Sequence, residues 1–257
     1  MHRCLVRTEE LLAETCSLGR ETARHLQTVL RVRPGTPVTL FDGCGRTRAA
    51  TVSAADRQGL VLTAAAPALE HPRPACALSL FACVSKGARM DWTVEKATEL
   101  GAARIVPVIS ARTVSRPSDA SRWVRIAEEA ARQCGAAWLP AVPAPLPFDA
   151  ALALAAQTPP LFVAALTPEA RPLRDALAAY RAPPPAAGWF VGPEGDFTPA
   201  ELAALADAGA TPVSLGPQVL RAETACLYGL CVLSCVWLTE CAIMSARYVG
   251  KDYRSGA

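Results

Sequence analysis

Trp189-Phe190-Val191-Gly192-Pro193-Glu194-Gly195-Asp196-Phe197-Thr198-Pro199-Ala200-Glu201 is the stretch that decides the fold of this chain. An apolar run ends in a tight Gly-Pro turn and a complete helix start follows: Thr198 as N-cap, Pro199 at the first helical position and Glu201 at the third. The helix stops at Gly209, residues 211–215 read as the next strand, and Gly216-Pro217 turns the chain into Arg221-Ala222-Glu223-Thr224 and an apolar helix over 225–238. Two successive strand, glycine turn and helix units place backbone amides at the carboxyl edge of a parallel sheet, where open α/β proteins bind ligands.

Upstream the same alternation continues. Residues 77–84 form an apolar run, Asp91 can cap a helix through Leu100 that Gly101 ends, and 104–109 are strand-like. Residues 122–134 are helical up to Gly135, and 161–165 give another strand. Strands alternating with helices imply a parallel sheet covered on both faces. The first 63 residues read differently. Strand-like pieces at 37–41, 48–52 and 60–63 are separated by turns at Arg33-Pro34-Gly35 and Asp42-Gly43-Cys44-Gly45, with Leu26, Val29 and Leu30 on one face of a helix over 21–30. A small, mostly β, barrel-like domain is the simplest assembly, with the Pro- and Ala-rich residues 64–74 as its linker.

The composition agrees with a folded chain. Of 257 residues 51% are hydrophobic and 19% charged, far from the composition of a disordered protein. Residues 1–12 acquire charge too early for an export signal, and the most apolar window, 225–238, is shorter than the roughly 20 residues of a membrane span. Ten scattered cysteines without a C-x-x-C, and histidines only at His2, His25 and His71, give no metal-ligand spacing and fit a reducing cytoplasm. Cys226, Cys231, Cys235 and Cys241 are expected to pack as small buried hydrophobes. The formal net charge is only +3, but residues 73–125 carry nine basic and four acidic groups. Such a stretch is either a solvated face or a footprint for a phosphate backbone.

The ordered motifs resemble the RsmE family of ribosomal RNA uridine-N3 methyltransferases, of the SPOUT class. Its G-P-E-G-G-F appears as Gly192-Pro193-Glu194-Gly195-Asp196-Phe197, and its L-G-x-R-[IV]-L-R-T-E-T-A as Leu215-Gly216-Pro217-Gln218-Val219-Leu220-Arg221-Ala222-Glu223-Thr224-Ala225. Lys86-Gly87-Ala88-Arg89-Met90-Asp91-Trp92, Lys96-Ala97-Thr98-Glu99-Leu100-Gly101, Ser110-Ala111-Arg112-Thr113, Glu129-Ala130-Ala131-Arg132-Gln133-Cys134-Gly135 and His25-Leu26-Gln27-Thr28-Val29-Leu30-Arg31 match further segments in order. The chain departs from the pattern at Gln218, where Arg is usual, at Ala222, where Thr is usual, and at Ala136, where Arg commonly stands.

The resemblance implies a PUA-like, RNA-binding β-barrel over 1–72, an α/β SPOUT domain over 73–246 whose last part is a deep trefoil knot, and a polar tail over 247–257. It implies a cytoplasmic homodimer, with the knot helices at the interface, that methylates N3 of a uridine in 16S ribosomal RNA of the 30S subunit. S-adenosylmethionine would lie among three loops and touch Ala165, Leu166, Gly192, Pro193, Glu194, Gly195, Leu215, Gly216, Gln218 and Leu220, with Gly192 letting the backbone approach the adenine. Arg221 would hold the charge developing on the uracil, and Glu223 is either the acceptor of its proton or a favourable acid in a helix's first turn. Arg3, Arg31, Lys86, Arg89 and Lys96 are candidate RNA contacts, the last three equally interdomain pairs. Neither a metal nor a membrane enters this reading. Two other functions fit parts of the sequence: an RNA-binding assembly factor that keeps the fold but transfers methyl groups poorly, and a dinucleotide-dependent oxidoreductase, which the absence of G-x-G-x-x-G disfavours.

Overall fold

A computed structural model describes residues 2–19, 23, 32–55 and 59–238, and within them the backbone forms two sheets. The first contains β1 (His2–Leu5), β2 (Thr15–Leu18), β3 (Pro37–Phe41), β4 (Arg46–Ala55), β5 (Leu60–Ala64) and β6 (Leu69–Glu70), with the short α1 (Thr8–Leu12) between β1 and β2. Its order is β1-β3-β4-β5-β2 with β6 on β4; β1 runs parallel to β3 and the other pairs are antiparallel. Alternate side chains, among them Val38, Leu40, Val52, Leu60 and Leu62, fill its core together with Leu11. The helix expected over 21–30, and with it Arg31, lies outside the described residues but for Ala23.

The second sheet is parallel throughout: β7 (Ala77–Cys83), β8 (Arg104–Ile109), β9 (Leu146–Pro147), β10 (Leu161–Ala164), β11 (Arg171–Pro172), β12 (Ala186–Val191) and β13 (Thr211–Ser214), in the order β11-β13-β10-β12-β7-β8-β9. Its helices are α2 (Ala88–Glu99), α3 (Ser121–Cys134), α4 (Phe148–Ala155), α5 (Leu173–Leu177), α6 (Pro199–Asp207) and α7 (Ala222–Trp237). The strands are apolar on both faces because both faces are covered. Leu78, Leu80 and Ala82 of β7 join Trp189 and Val191 of β12 in a core under α2, α3, α5 and α7. Phe81, Cys83 and Phe190 point the other way, into a core with α4 and α6.

α7 begins at Ala222, three residues before the apolar run expected as its body, because Arg221 is its N-cap. Leaving β13 on one side of β10, the chain crosses the carboxyl ends of the strands and lays α7 against α2, β7 and β12. Trp189 is fully buried under it and its Nε1 donates to the Ala225 carbonyl at 3.3 Å. Gly229 makes this contact possible, since a β-carbon there would overlap the Trp189 indole. Gly229→Ala is therefore an overpacking change, of a kind that costs about 1–3 kcal/mol.

Three expectations need correction. Asp91 does not cap α2; the cap is Gly87, at φ 66°, and Asp91 sits in the first turn, where it pairs with Arg122 of α3. The expected linker is not free: Leu69 and Glu70 pair with β4, Glu70 bridges Arg46 at 3.1 Å, and His71 meets Thr47 at 2.8 Å. Proline interrupts regular structure there without releasing the segment's polar groups from pairing. Cys231 and Cys235 are exposed, unlike buried Cys226, because successive positions of a helix that packs on one side must face both ways.

The two sheets meet at the turn after β3. Gly45 donates to the Ala137 carbonyl at 3.0 Å and Leu139 donates back to Gly43 at 2.9 Å, joining this turn to the segment after α3. Gly43 and Gly45 have φ 69° and 93°, and β-carbons there would overlap Leu139 and Trp138. Trp138 Nε1 donates to Pro72, and Arg73 stacks on its ring, 4.4 Å from the centroid. The Asp42 carboxylate holds the turn from within, accepting from Cys44 N at 2.8 Å, Arg46 N at 3.0 Å and Thr8 Oγ1 at 3.0 Å. Burial works against that charge, but the backbone N–H groups of Arg46 and Cys44, with Thr8 and the Arg46 guanidinium, bring its pKa below the ordinary carboxylate value.

Candidate functional site

At the carboxyl ends of β10, β12 and β13, three loops and the start of α7 enclose a cavity of about 330 Å³, within the range of small-molecule sites. Its walls include Ala165 and Leu166 from the first loop, Gly192, Pro193, Glu194 and Asp196 from the second, and Leu215, Gly216, Gln218, Val219, Leu220 and Arg221 from the third. Ala164, Val191, Val213, Ser214, Ala222 and Ala225 complete it. Nine of the ten residues named for cofactor contact thus line one space. Gly195 does not; it faces Arg112, whose Nη1 donates to the Gly195 carbonyl at 2.6 Å.

The second loop is held from behind. Thr198 and Glu201 form the expected capping box, the Thr198 hydroxyl accepting from Glu201 N at 3.2 Å and Glu201 Oε2 from Thr198 N at 2.8 Å. The other oxygen of the buried Glu201 accepts from Ala111 N at 2.8 Å, so the segment after β8 is tied to the helix start. Asp196 takes the left-handed conformation, φ 60°, where an L side chain is uncommon, and its Oδ1 accepts from Phe197 N at 2.7 Å. The Gly192 position serves packing as much as access: a β-carbon there would face the Phe197 ring at 3.1 Å. Gly216, at φ 132°, has nothing within 4 Å of an added β-carbon.

Arg221 is exposed, lines the cavity, and makes no side-chain hydrogen bond or ion pair among the described residues. Two residues on, Glu223 is buried and does not line the cavity. Its Oε1 lies 3.9 Å from Arg89 Nε, while its Oε2 is buried with no hydrogen-bond partner. Such an atom costs about 1–3 kcal/mol unless a donor reaches it.

Of the basic residues named for RNA contact, Arg31 lies outside the described residues and three of the other four have partners within the protein. Arg3 turns inward, donating to the Ala136 carbonyl at 2.7 Å and stacking on Phe41. Arg89 pairs with Glu194 at 2.8 Å, and Lys96 lies between Glu95 at 2.7 Å and Glu99 at 2.8 Å. Lys86 is exposed and has no ion pair among the described residues. Among these residues no group of three or more His, Cys, Asp or Glu could hold a metal ion, and no helix is long and apolar enough to cross a membrane. Ser214 was not singled out by sequence, and Asp196 and Arg112 entered only within matching segments, without a role. Asp196 carried a signal nonetheless, a non-glycine in the last position of a glycine turn.

Residues 71–234 match an RNA methyltransferase domain, and residues 18–64 an RNA methyltransferase PUA domain. The ribosomal RNA small subunit methyltransferase E of Synechocystis is 32% identical over 227 residues, 87% of this chain and 74% of the relative. The chain belongs to the ribosomal RNA small subunit methyltransferase E family. Solved members and neighbours share its architecture with a ligand in place. The methyltransferase E of Neisseria gonorrhoeae, bound to S-adenosyl methionine, superposes with TM-score 0.81 at 30% identity, covering 92% of this chain and 98% of that one. A Legionella pneumophila methyltransferase with SAM bound gives TM-score 0.81 at 29% identity, covering 91% and 96%. As a methyltransferase of this family, the chain places its cavity where a parallel sheet presents loop amides, and both ends of its motif, 192–197 and 215–225, form that edge.

Proposed function

We propose that this chain transfers the methyl group of S-adenosylmethionine to N3 of a uridine in 16S ribosomal RNA, acting on the 30S subunit in the cytoplasm. The observation that carries the reading is one conjunction: a cavity of ligand size, the uncommitted Arg221 guanidinium in its wall, and the orphan Glu223 Oε2 in the same helical turn. The residues suit the cofactor. Ala165, Leu166, Leu215 and Leu220 offer apolar surface to a purine, the backbone of the second and third loops offers donors and acceptors to its edge, and the Asp196 carboxylate suits a cationic amino-acid group.

When bound, S-adenosylmethionine supplies a methyl group already activated by its sulfonium. The residues of this chain must then make a nucleophile. Uracil N3 carries a weakly acidic proton and attacks only as that proton leaves. Glu223, whose Oε2 lies behind the cavity wall, takes the proton through one intervening water as the N–H bond breaks, and Arg221 donates to the uracil carbonyl oxygen on which negative charge gathers. With the cofactor bound, N3 would be methylated as its proton leaves, and the protonated Glu223 would return that proton to water.

The barrel over 1–72 is assigned to RNA and residues 73–246 to transfer, with Lys86, exposed and without an ion pair among the described residues, available for a phosphate. RNA affinity is expected to fall as salt rises. The crossing that carries α7 over the strand ends supports a deep trefoil knot in this part of the chain. The outer face of α7 exposes Tyr228, Cys231, Cys235 and Val236, an apolar stripe that suits a second copy in a homodimer.

Mass spectrometry of 16S ribosomal RNA from a strain lacking this protein tests the reading: one N3-methyluridine should disappear and return with the wild-type gene. Calorimetry separates the alternative, since an assembly factor without transferase activity would show no binding of S-adenosylmethionine.

A further inference from the structure

Arg89 occupies an electrostatically unfavourable place. It lies in the first turn of α2, where the helix macrodipole repels a cation. Two carboxylates from distant parts of the chain offset this: Glu194 in the loop after β12, its Oε1 2.8 Å from Nη1, and Glu223 in the first turn of α7, its Oε1 3.9 Å from Nε. The first is a hydrogen-bonded pair and the second a charge contact too long for a hydrogen bond. One rigid guanidinium therefore spans the cavity wall and the carboxylate whose other oxygen is buried and unpartnered.

We propose that Arg89 is a positioning residue for methyl transfer: it fixes the Glu223 carboxylate from its far side and ties it to the Glu194 loop, so that cofactor binding and base activation depend on each other. This rests on the reading of Glu223 as proton acceptor and of the cavity as the cofactor site. The planar guanidinium suits the task, since it hydrogen-bonds Glu194 while keeping a fixed charge beside Glu223, as a lysine ammonium on a flexible stem does not. The exposed charge of Glu194 is then spent on the loop's position, and the second oxygen of Glu223 stays available for the base.

The rival role for Arg89, a contact to an RNA phosphate, predicts different behaviour. Losing one phosphate contact weakens RNA binding and reduces the slope of log affinity against log salt by about one, while saturating RNA restores the rate. Arg89→Met, Arg89→Lys, Glu194→Gln and the Arg89→Met/Glu194→Gln double variant should be compared with wild type. Cofactor affinity is read by calorimetry, and kcat and KM on 30S subunits lacking the methyl group are read across a salt series.

For a positioning residue, Arg89→Met lowers kcat at least about tenfold and weakens cofactor binding several-fold, with KM for subunits and its salt slope unchanged. The double variant binds cofactor no worse than Arg89→Met alone, because both changes break one link, and Arg89→Lys recovers part of kcat. A normal kcat in Arg89→Met with a raised KM and a reduced salt slope would overturn the proposal, as would additive effects in the double variant. Should Arg89→Met fail to fold, Arg89→Lys and Glu194→Gln decide: either one with wild-type kcat and cofactor affinity overturns it. A wild-type protein that neither binds cofactor nor methylates subunits would instead sink the underlying reading, which the wild-type control reports separately.

Discussion

The turn after β3 and the loop after β13 each pivot on glycine at the end of a strand, yet the chain treats them in opposite ways. At Gly43 and Gly45 the space left by the missing side chains is filled by Leu139 and Trp138, and the turn becomes a latch between the two sheets. At Gly216 the space stays open onto the cavity. Glycine in a turn thus marks a close approach, and only the three-dimensional structure says whether the protein itself or a ligand makes it.

The largest expected effect lies on the open side. Arg221→Ala should lower the methyl-transfer rate on 30S subunits about a hundredfold, the cost of one preorganised donor to a developing anion, with cofactor affinity nearly unchanged in calorimetry. Near-normal turnover would leave the loop amides alone to stabilise the anion. Gly216→Val asks the cavity side the question that the latch answers with its own residues. A branched side chain at φ 132° strains the loop, so cofactor affinity should fall at least about tenfold while the thermal midpoint moves little.

The latch should show the reverse pattern. Trp138→Ala is expected to cost about 1–2 kcal/mol in urea unfolding and to leave calorimetric cofactor affinity intact; a loss of cofactor binding would mean that the two regions are coupled. Asp42→Asn tests the latch through acid. The folded Asp42 pKa is lowered, so its contribution is complete above the unfolded value of about 3.9 and is lost as pH falls through the folded one. The stability gap between wild type and variant should therefore be full at about pH 6 and close below about pH 4. The smallest effect belongs to Gln218→Arg, which places the family's usual residue in the cavity wall and should leave the transfer rate level or raise it.

Sequence made the second sheet legible because its signals are local. The Thr198 cap, Pro199 and Glu201 sit within four residues, and the capping box formed as expected. β7 and β12 show as near-continuous apolar runs because both faces are buried. What escaped notice was short or long-range. β9 and β11 have two residues each and α5 five, below the length at which periodicity can be read. The role of Trp138 depends on a turn far upstream, and that of Arg89 on carboxylates at 194 and 223, contacts without a spacing rule. Basic residues counted along 73–125 suggested a surface, yet Arg89, Lys96 and Arg122 are paired with acids. Counting charge says how much there is and nothing of how it is spent.

One consequence of α7 concerns timing. Ala222 and Ala225, which close the cavity, belong to the helix that packs on Trp189 through Gly229. Strands β7, β10, β12 and β13 are all synthesised before it. A nascent chain that has made every strand of the sheet still lacks one wall of its binding site, the Arg221 guanidinium and the Glu223 carboxylate. The cavity therefore closes only once α7 has been made and has packed on the sheet.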